Sequence, residues 1–358
     1  MRILIVKISA LGDVVHSLPV LAYIKKLHPE AEIDWLVEEG LAPLLEGHPL
    51  LHRVHRLGFK RWRRQGFIVL LRGLLEMART LRRQPYDVVL DLQGNCKSGL
   101  FTLLSKARLR YGFARHGVRE WPNLLATNRK VVLGEADHHI SDRSLAVARE
   151  AFPSGGKAPL AGPLHVDEGA AAQVDRQLHQ AGFDGQPLLV LQYGTTWRTK
   201  LWSLDYWREL VRRLTLENGF RPVLIWGNDE ERQAAELIAA ASNGRAVIWP
   251  RASLQELVAL LQRAALVVGG DTGPIHIAAA LQRPTVSIFR ATDATRNGPR
   301  GKEHIRLQAP MPCGPCLKKT CPQDAECARS ISVSQVHEAV SKLLAFGSGC
   351  GRTTDEDR

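Results

Sequence analysis

The sequence predicts an α/β protein made of two doubly wound domains. Three observations carry that expectation. The chain has 358 residues, too many for one ordinary core; short apolar runs alternate with helix-like stretches; and two glycine-bearing turns, near residues 10 and 270, each join a strand-like run to a helix-like one.

The first element is the run Arg2–Ile8, followed by a tight turn over Ser9–Gly12 and by Asp13 at the head of a helix-like stretch, Val14–Leu27. Strands are expected next at Ile33–Val37 and Val88–Leu92, with a helix over Leu70–Arg82 between them. This alternation implies parallel strands joined by crossover helices. A second series has strands at Leu188–Gln192, Pro222–Trp226, Ala246–Ile248, Ala265–Val268 and Thr285–Phe289, interleaved with helices at Leu204–Glu217, Glu230–Ala241 and Leu254–Gln262. Between the two series, 153–159 and Gly162-Pro163 are the only stretch rich enough in Pro and Gly for an interdomain linker. The expected domains are therefore 1–165 and 166–346, and the small, polar residues 347–358 are expected to form a disordered tail.

Apolar residues at 45% and charged residues at 23% are ordinary for a soluble globular chain, and no apolar run is long enough to cross a bilayer. Lys7 and Asp13 interrupt the N-terminal apolar stretch before a signal-peptide cleavage site could follow, so a cytoplasmic location is expected. The net charge of +12 is concentrated. Ten Lys and Arg stand against one acid, Glu76, between Arg53 and Arg83, which places +9 in that segment. Such a segment attracts nucleic acid, anionic lipid headgroups or a phosphorylated substrate, or it is a solvated helical face; charge alone does not choose.

The turn from Gly269 to His276 has the makings of an anion cradle, because free N–H groups, the helix dipole and close backbone approach at glycine coincide there. His276 is either structural or a donor to the bound group. Asp13 also reads in two ways. An Asp at a helix start caps N–H groups and meets the dipole; at the carboxyl end of a first strand, where ligands bind in open α/β sheets, it would serve as a general base. Gly194-Thr195-Thr196-Trp197-Arg198-Thr199-Lys200 follows the strand that opens the second domain. Its hydroxyls could donate to phosphate oxygens and Lys200 could neutralise a leaving diphosphate, although Thr-Thr is also ordinary loop chemistry. The acids of Trp226-Gly227-Asn228-Asp229-Glu230-Glu231 suit ribose hydroxyls or a helix dipole equally. Cys313, Cys316, Cys321 and Cys327, spaced C-x2-C-x4-C-x5-C, could close a tetrahedral zinc site or hold an iron–sulfur cluster, and a reducing compartment argues against disulfides. The only D-x-D pair, Asp355 and Asp357, lies in the tail, so no metal-bridged diphosphate is implied. No G-x-G-x-x-G follows any strand, which disfavours a dinucleotide dehydrogenase.

Taken in order, these motifs resemble the heptosyltransferases of lipopolysaccharide core assembly, glycosyltransferase family 9, and in particular the members that act first and add L-glycero-D-manno-heptose to a Kdo sugar on lipid A. The likeness runs through nearly the whole chain: Met1–Lys7 with Leu11-Gly12-Asp13-Val14-Val15-His16, Asp34-Trp35-Leu36-Val37-Glu38-Glu39-Gly40, Thr195-Thr196-x3-Lys200 and Asp271-Thr272-Gly273-x2-His276. The resemblance implies the GT-B architecture, two Rossmann-like domains facing each other across a cleft, with the acceptor on the first and ADP-heptose chiefly on the second. It implies Asp13 as catalytic base, and Thr195, Thr196, Lys200, Asp271, Thr272, Gly273 and His276 as donor-binding residues, with Glu230 rather than Asp229 as the ribose acid. On the acceptor side it implies Ser9, Gly12, Lys60, Arg61, Arg63, Arg64, Gln93, Lys97, Arg119 and His139.

Trp62, amid the basic stretch, would rest at a lipid interface or pack onto its domain. The cysteine cluster is not general among first-acting members and occurs in some relatives, often later heptosyltransferases. A structural zinc is therefore what it would hold, and no cofactor is implied for catalysis. Expected partners are ADP-heptose, a Kdo-bearing lipid A and the anionic inner membrane, at whose cytoplasmic face the enzyme would be peripheral. Nucleic acid is not expected, since no aromatic-rich strand is present to stack bases. Two rivals remain: a later heptosyltransferase acting on a heptose acceptor, and a sugar-nucleotide epimerase or hydrolase on the same scaffold, which needs no basic acceptor patch.

Overall fold

The structure is a computed structural model and describes residues 1–83, 85–153 and 158–349. The chain divides into two compact units, Met1–His165 and one beginning at Val166. The first holds strands β1 (Arg2–Val6), β2 (Glu32–Glu38), β3 (Arg53–Leu57), β4 (Val88–Asp91), β5 (Leu109–Phe113) and β6 (Arg129–Val131). Its helices are α1 (Leu11–Val15), α2 (Pro19–Leu27), α3 (Phe59–Gln65), α4 (Phe67–Arg82), α5 (Cys96–Leu104) and α6 (Ile140–Ala151). All six strands are parallel, in the order β3-β2-β1-β4-β5-β6, the doubly wound arrangement. Ile3, Leu4, Ile5 and Val6 of the central β1 are fully buried, as expected of a parallel strand covered on both faces, where alternation would place polar groups in the core.

The register sets Val6 beside Asp91, so the turns leaving β1 and β4 emerge as neighbours. Because the strands are parallel, all six exits lie along one edge of the sheet, and that edge carries the candidate residues of this unit.

Two local differences from the sequence expectation have simple causes. The stretch Val14–Leu27 is two helices, α1 and α2, because Pro19 lacks the N–H that would continue the first ladder and instead opens the second. The basic segment is more than the helix expected over Leu70–Arg82. It is β3 followed by α3 and α4, which meet at Gly66, whose φ of 108° favours a residue without a Cβ. Trp62 packs across Gly73, where a Cβ would come within 2.4 Å of the indole. That ring joins the core formed by Leu74, Met77, Leu81 and Phe101, so packing rather than a lipid interface accounts for Trp62.

The second unit repeats the plan. Its strands are β7 (Leu189–Gln192), β8 (Val223–Leu224), β9 (Val247–Ile248), β10 (Leu266–Gly270), β11 (Thr285–Phe289) and β12 (His304–Gln308). They run parallel in the order β12-β11-β10-β7-β8-β9. The helices are α7 (Glu168–Gln180), α8 (Leu204–Leu216), α9 (Asp229–Ala239), α10 (Leu254–Arg263), α11 (Gly273–Ala280), α12 (Ala294–Asn297), α13 (Asp324–Arg329) and α14 (Val333–Gly349). Trp202 stacks edge-on against Trp207 at 5.0 Å between centroids and closes the core beneath the β7 loop. Residues 154–157 of the Pro- and Gly-rich stretch and 350–358 of the expected tail lie outside the described residues. Residues 347–349, expected in that tail, instead end α14, whose Val336, Val340 and Leu343 are anchored in the core. Among the described residues no helix is long and apolar enough to cross a membrane.

Candidate active site

In the first unit the exits of β1, β4 and β5 bring Ser9, Gly12, Asp13, Gln93 and Arg119 together. Asp13 is the third residue of α1, and its Oδ2 accepts the N–H of Ala10 at 3.2 Å. The capping role is therefore real. It leaves the carboxylate accessible: Asp13 is 17% exposed and lies 3.6 Å from Nη1 of Arg119, which is 59% exposed. A carboxylate beside an exposed guanidinium at a strand exit can accept a proton while the guanidinium orients an anionic ligand.

The segment from Asp91 to Ser98, which carries Gln93 and Lys97, is scaffolding built around a second acid, Asp91. Buried Asp91 accepts the N–H groups of Gln93 and Gly94 at 3.0 and 2.9 Å, the Ser98 hydroxyl at 2.9 Å and the Asn123 amide at 2.7 Å. Burial pushes its carboxyl above the ordinary value, and those hydrogen bonds oppose the shift. The side-chain oxygen of Gln93 accepts the N–H groups of Ile8 and Ser9 at 3.1 and 3.2 Å, so it positions the first turn from within. Expected as an acceptor contact, Gln93 has this oxygen committed to backbone. His139 is similarly engaged: buried, it caps α6 by accepting the N–H of Ser141 at 3.2 Å and stacks edge-on against His16. Lys97 reaches Glu38 at 3.2 Å and Phe59 beneath it. On α3, Arg61 is paired with Glu39 at 2.9 Å, whereas the Lys60, Arg63 and Arg64 side chains stand exposed.

In the second unit the exits of β7 and β10 converge. Lys200 donates to Asp271 Oδ2 at 2.7 Å and to its backbone oxygen at 3.2 Å. The same buried carboxylate contacts His276 Nε2 at 2.9 Å and accepts the Thr292 hydroxyl at 2.7 Å. Burial alone would raise the Asp271 carboxyl, but the His276 hydrogen bond, with the charges of His276 and Lys200, outweighs it and holds the group well below the usual carboxylate range. Asp271 is thus an internal anchor that fixes a cation, while Thr272 and Gly273 open α11, whose first N–H groups point out of the helix. Trp197 lies under Lys200 at 5.0 Å and Lys319 at 5.3 Å, and Thr196 is exposed at the tip of the loop beside Thr195.

Glu230 does not pack on the loop that follows β7: it is exposed on the first turn of α9, and Glu231 lies on that loop, its carboxylate accepting the Gly227 N–H at 2.7 Å and lying 2.2 Å from where a Cβ at Gly194 would be. Nor does the four-thiolate site assemble. Cys313, Cys316, Cys321 and Cys327 border one shallow recess with Thr199, Arg290 and Asp324, but among the described residues no three potential ligands converge as a metal centre. Other contacts hold this segment: Cys327 packs on the core, Arg290 grips Asp324 at 2.7 Å, and the Thr199 hydroxyl donates to the Lys318 carbonyl at 2.6 Å.

Residues 74–326 match the family model described as glycosyltransferase family 9 (heptosyltransferase). The chain belongs to this family. It is 37% identical, over 90% of its length and 87% of the relative's, to lipopolysaccharide heptosyltransferase 1 of Pseudomonas aeruginosa. Among solved structures it is similar to Escherichia coli heptosyltransferase WaaC with ADP, with a TM-score of 0.77 and 28% identity over 96% of this chain and 100% of that one. The same enzyme with ADP-2-deoxy-2-fluoro heptose matches with a TM-score of 0.74 over 96% of this chain and 99% of that one. Two parallel six-stranded units in one chain are the components of the GT-B architecture of these enzymes.

Two residues of this family 9 glycosyltransferase escaped the sequence reading. Lys7 is buried, donates to the Leu92 carbonyl at 2.8 Å, and is held below its ordinary pKa by burial, with the field of Asp13 acting against that shift. Its signal was available, as a lysine ending an otherwise apolar strand run. Thr292, on the exit of β11, had none beyond lying past a strand end, because its partner Asp271 is 21 residues away in sequence.

Proposed function

We propose that the protein transfers L-glycero-D-manno-heptose from ADP-heptose to a Kdo sugar on lipid A, with inversion at the anomeric carbon. The observation that carries the reading is Lys200 fixed on buried Asp271 next to the start of α11. An ammonium has three N–H donors, and two are taken by Asp271, so the third is aimed and available for a diphosphate oxygen. With the Thr195 and Thr196 hydroxyls and the N–H groups at Thr272 and Gly273, it would stabilise ADP as negative charge develops on the leaving oxygen. Glu231, packed on Gly194, is the better placed acid for ribose hydroxyls.

In the proposed step Asp13 accepts the proton of a Kdo hydroxyl, that oxygen forms the new bond to the anomeric carbon, and the bond from this carbon to the diphosphate breaks. The electron pair leaves with ADP. A positioned base contributes ~10²–10⁴ in rate, or about 3–5.5 kcal/mol of barrier. Arg119 and the exposed Lys60, Arg63 and Arg64 would orient the carboxylates and phosphates of the acceptor, and Arg61 and Lys97, held by Glu39 and Glu38, would frame it. The same basic surface supports a peripheral position at the anionic cytoplasmic face of the inner membrane.

The test is incubation of the full chain with ADP-heptose and Kdo-bearing lipid A, followed by product mass. A mass gain of one heptose supports the reading. Release or isomerisation of heptose from the donor alone would favour the epimerase or hydrolase rival, and transfer only to a heptose-bearing core would move the enzyme to a later step.

A further inference from the structure

The apolar surface of α4 is wider than its contact with the core. Leu74, Met77 and Leu81 turn into the core of the first unit. At about 100° per residue, Phe67, Ile68, Leu71 and Leu75 span a further arc of about 100° that adjoins the core-facing one. They are 77%, 69%, 46% and 49% exposed. Four large apolar side chains on one stripe are not the scattered singles that every surface shows.

The setting of the stripe says what covers it. Arg72 and Arg79 are exposed along its edge, Lys60, Arg63 and Arg64 are exposed on α3, which packs against α4, and Glu76 is the sole acid of the segment. A cationic rim around an apolar stripe on a helix that lies along the surface is the pattern that binds the interface of an anionic bilayer, the apolar side chains entering the acyl boundary while the cations meet headgroups. A protein partner would need acids around an apolar groove. A membrane supplies both layers over its whole area.

We infer that α4 is the membrane-docking element of this protein, inserting Phe67, Ile68, Leu71 and Leu75 into an anionic lipid surface, with the α3 and α4 cations as its headgroup contacts. The inference rests on the proposed membrane-borne acceptor, assigns insertion to apolar residues outside the acceptor set while sharing the α3 cations with it, and removes Trp62 from the interface.

The experiment is sedimentation of the full chain with phosphatidylcholine vesicles made with and without phosphatidylglycerol. Wild-type protein is expected to bind the phosphatidylglycerol vesicles, and Ile68→Ser/Leu71→Ser/Leu75→Ser to bind them roughly tenfold or more weakly. Thermal melting should fall by only a few degrees, since none of the three belongs to the buried core cluster. As a second readout, Leu71→Trp should shift its emission to the blue on those vesicles. Equal sedimentation of the triple variant and wild type, or an unmoved emission while the protein sediments, overturns the inference. A wild-type dimer that the triple variant converts to monomer, without vesicle binding, also overturns it by making the stripe a self-association face. Transfer to a deacylated, soluble Kdo acceptor separates the two readings. The triple variant should match wild type there, and failure of the wild type to transfer would count against the proposed reaction and leave the vesicle result standing.

Discussion

Replacing Asp271 by Asn keeps the shape of the side chain and removes the charge that anchors Lys200, His276 and Thr292. Breaking a buried pair from one side costs about 3–5 kcal/mol, because the remaining charge stays out of water without its partner. The Asn oxygen still accepts one hydrogen bond, which places the expected loss near ~3 kcal/mol. With a urea m-value of about 3 kcal/mol/M for a unit of this size, the unfolding midpoint of the second unit falls by about 1 M. The pH dependence has a fixed sign. The Asp271 carboxyl is held below its unfolded value, so its contribution is complete above the unfolded pKa of roughly 4 and is lost as pH falls toward the folded one. The gap between wild type and variant should therefore close on acidification below about pH 4. Urea titrations followed by tryptophan fluorescence, in which Trp202 and Trp207 report on this unit, measure both. Calorimetric titration with ADP should show affinity falling roughly tenfold as Lys200 loses its fixed position. An unshifted midpoint at pH 7, or a gap that widens in acid, would refute Asp271 as an ionised anchor.

Asp13→Asn should lower transfer by ~10²–10⁴ while ADP affinity holds, measured by product mass and calorimetry; near-normal turnover would remove Asp13 from the chemistry. Arg63→Ala/Arg64→Ala should raise the acceptor KM severalfold and spare that of the donor, with Arg61→Ala weaker in effect because Glu39 already holds Arg61. An equal change for ADP-heptose would contradict that division. Gly194→Ala places a Cβ 2.2 Å from the Glu231 carboxyl carbon, so it should displace Glu231 and weaken donor binding with little change in acceptor KM. Unchanged ADP affinity in that variant would take Glu231 out of the ribose site.

What could be read from the chain alone was whatever burial writes into local composition. Strands covered on both faces are mostly apolar, so β1, β2, β4, β7, β8, β10 and β11 were visible as runs, whereas internal β5, with Arg110, Tyr111 and Gly112, was not. Of the edge strands, β9 was expected from Ala246–Ile248, whereas β3, with Arg53 and Arg56, β6, with Arg129 and Lys130, and β12, with Arg306 and Gln308, carry too many polar residues to stand out as runs. The turns that hold Asp13, Lys200 and Asp271 were legible because strand exits need glycine, hydroxyl and acidic residues in short spans. The sequence by itself thus determined two doubly wound units and the positions of their chemical turns. Tertiary structure decided the rest: that Gln93 and His139 are engaged with backbone, that Asp271 is buried and anchors Lys200, that Glu231 and not Glu230 meets Gly194, and that among the described residues the four thiols do not converge. Those outcomes depend on how the fold turns and buries each side chain, and local spacing cannot encode which of two chemically similar side chains it turns inward.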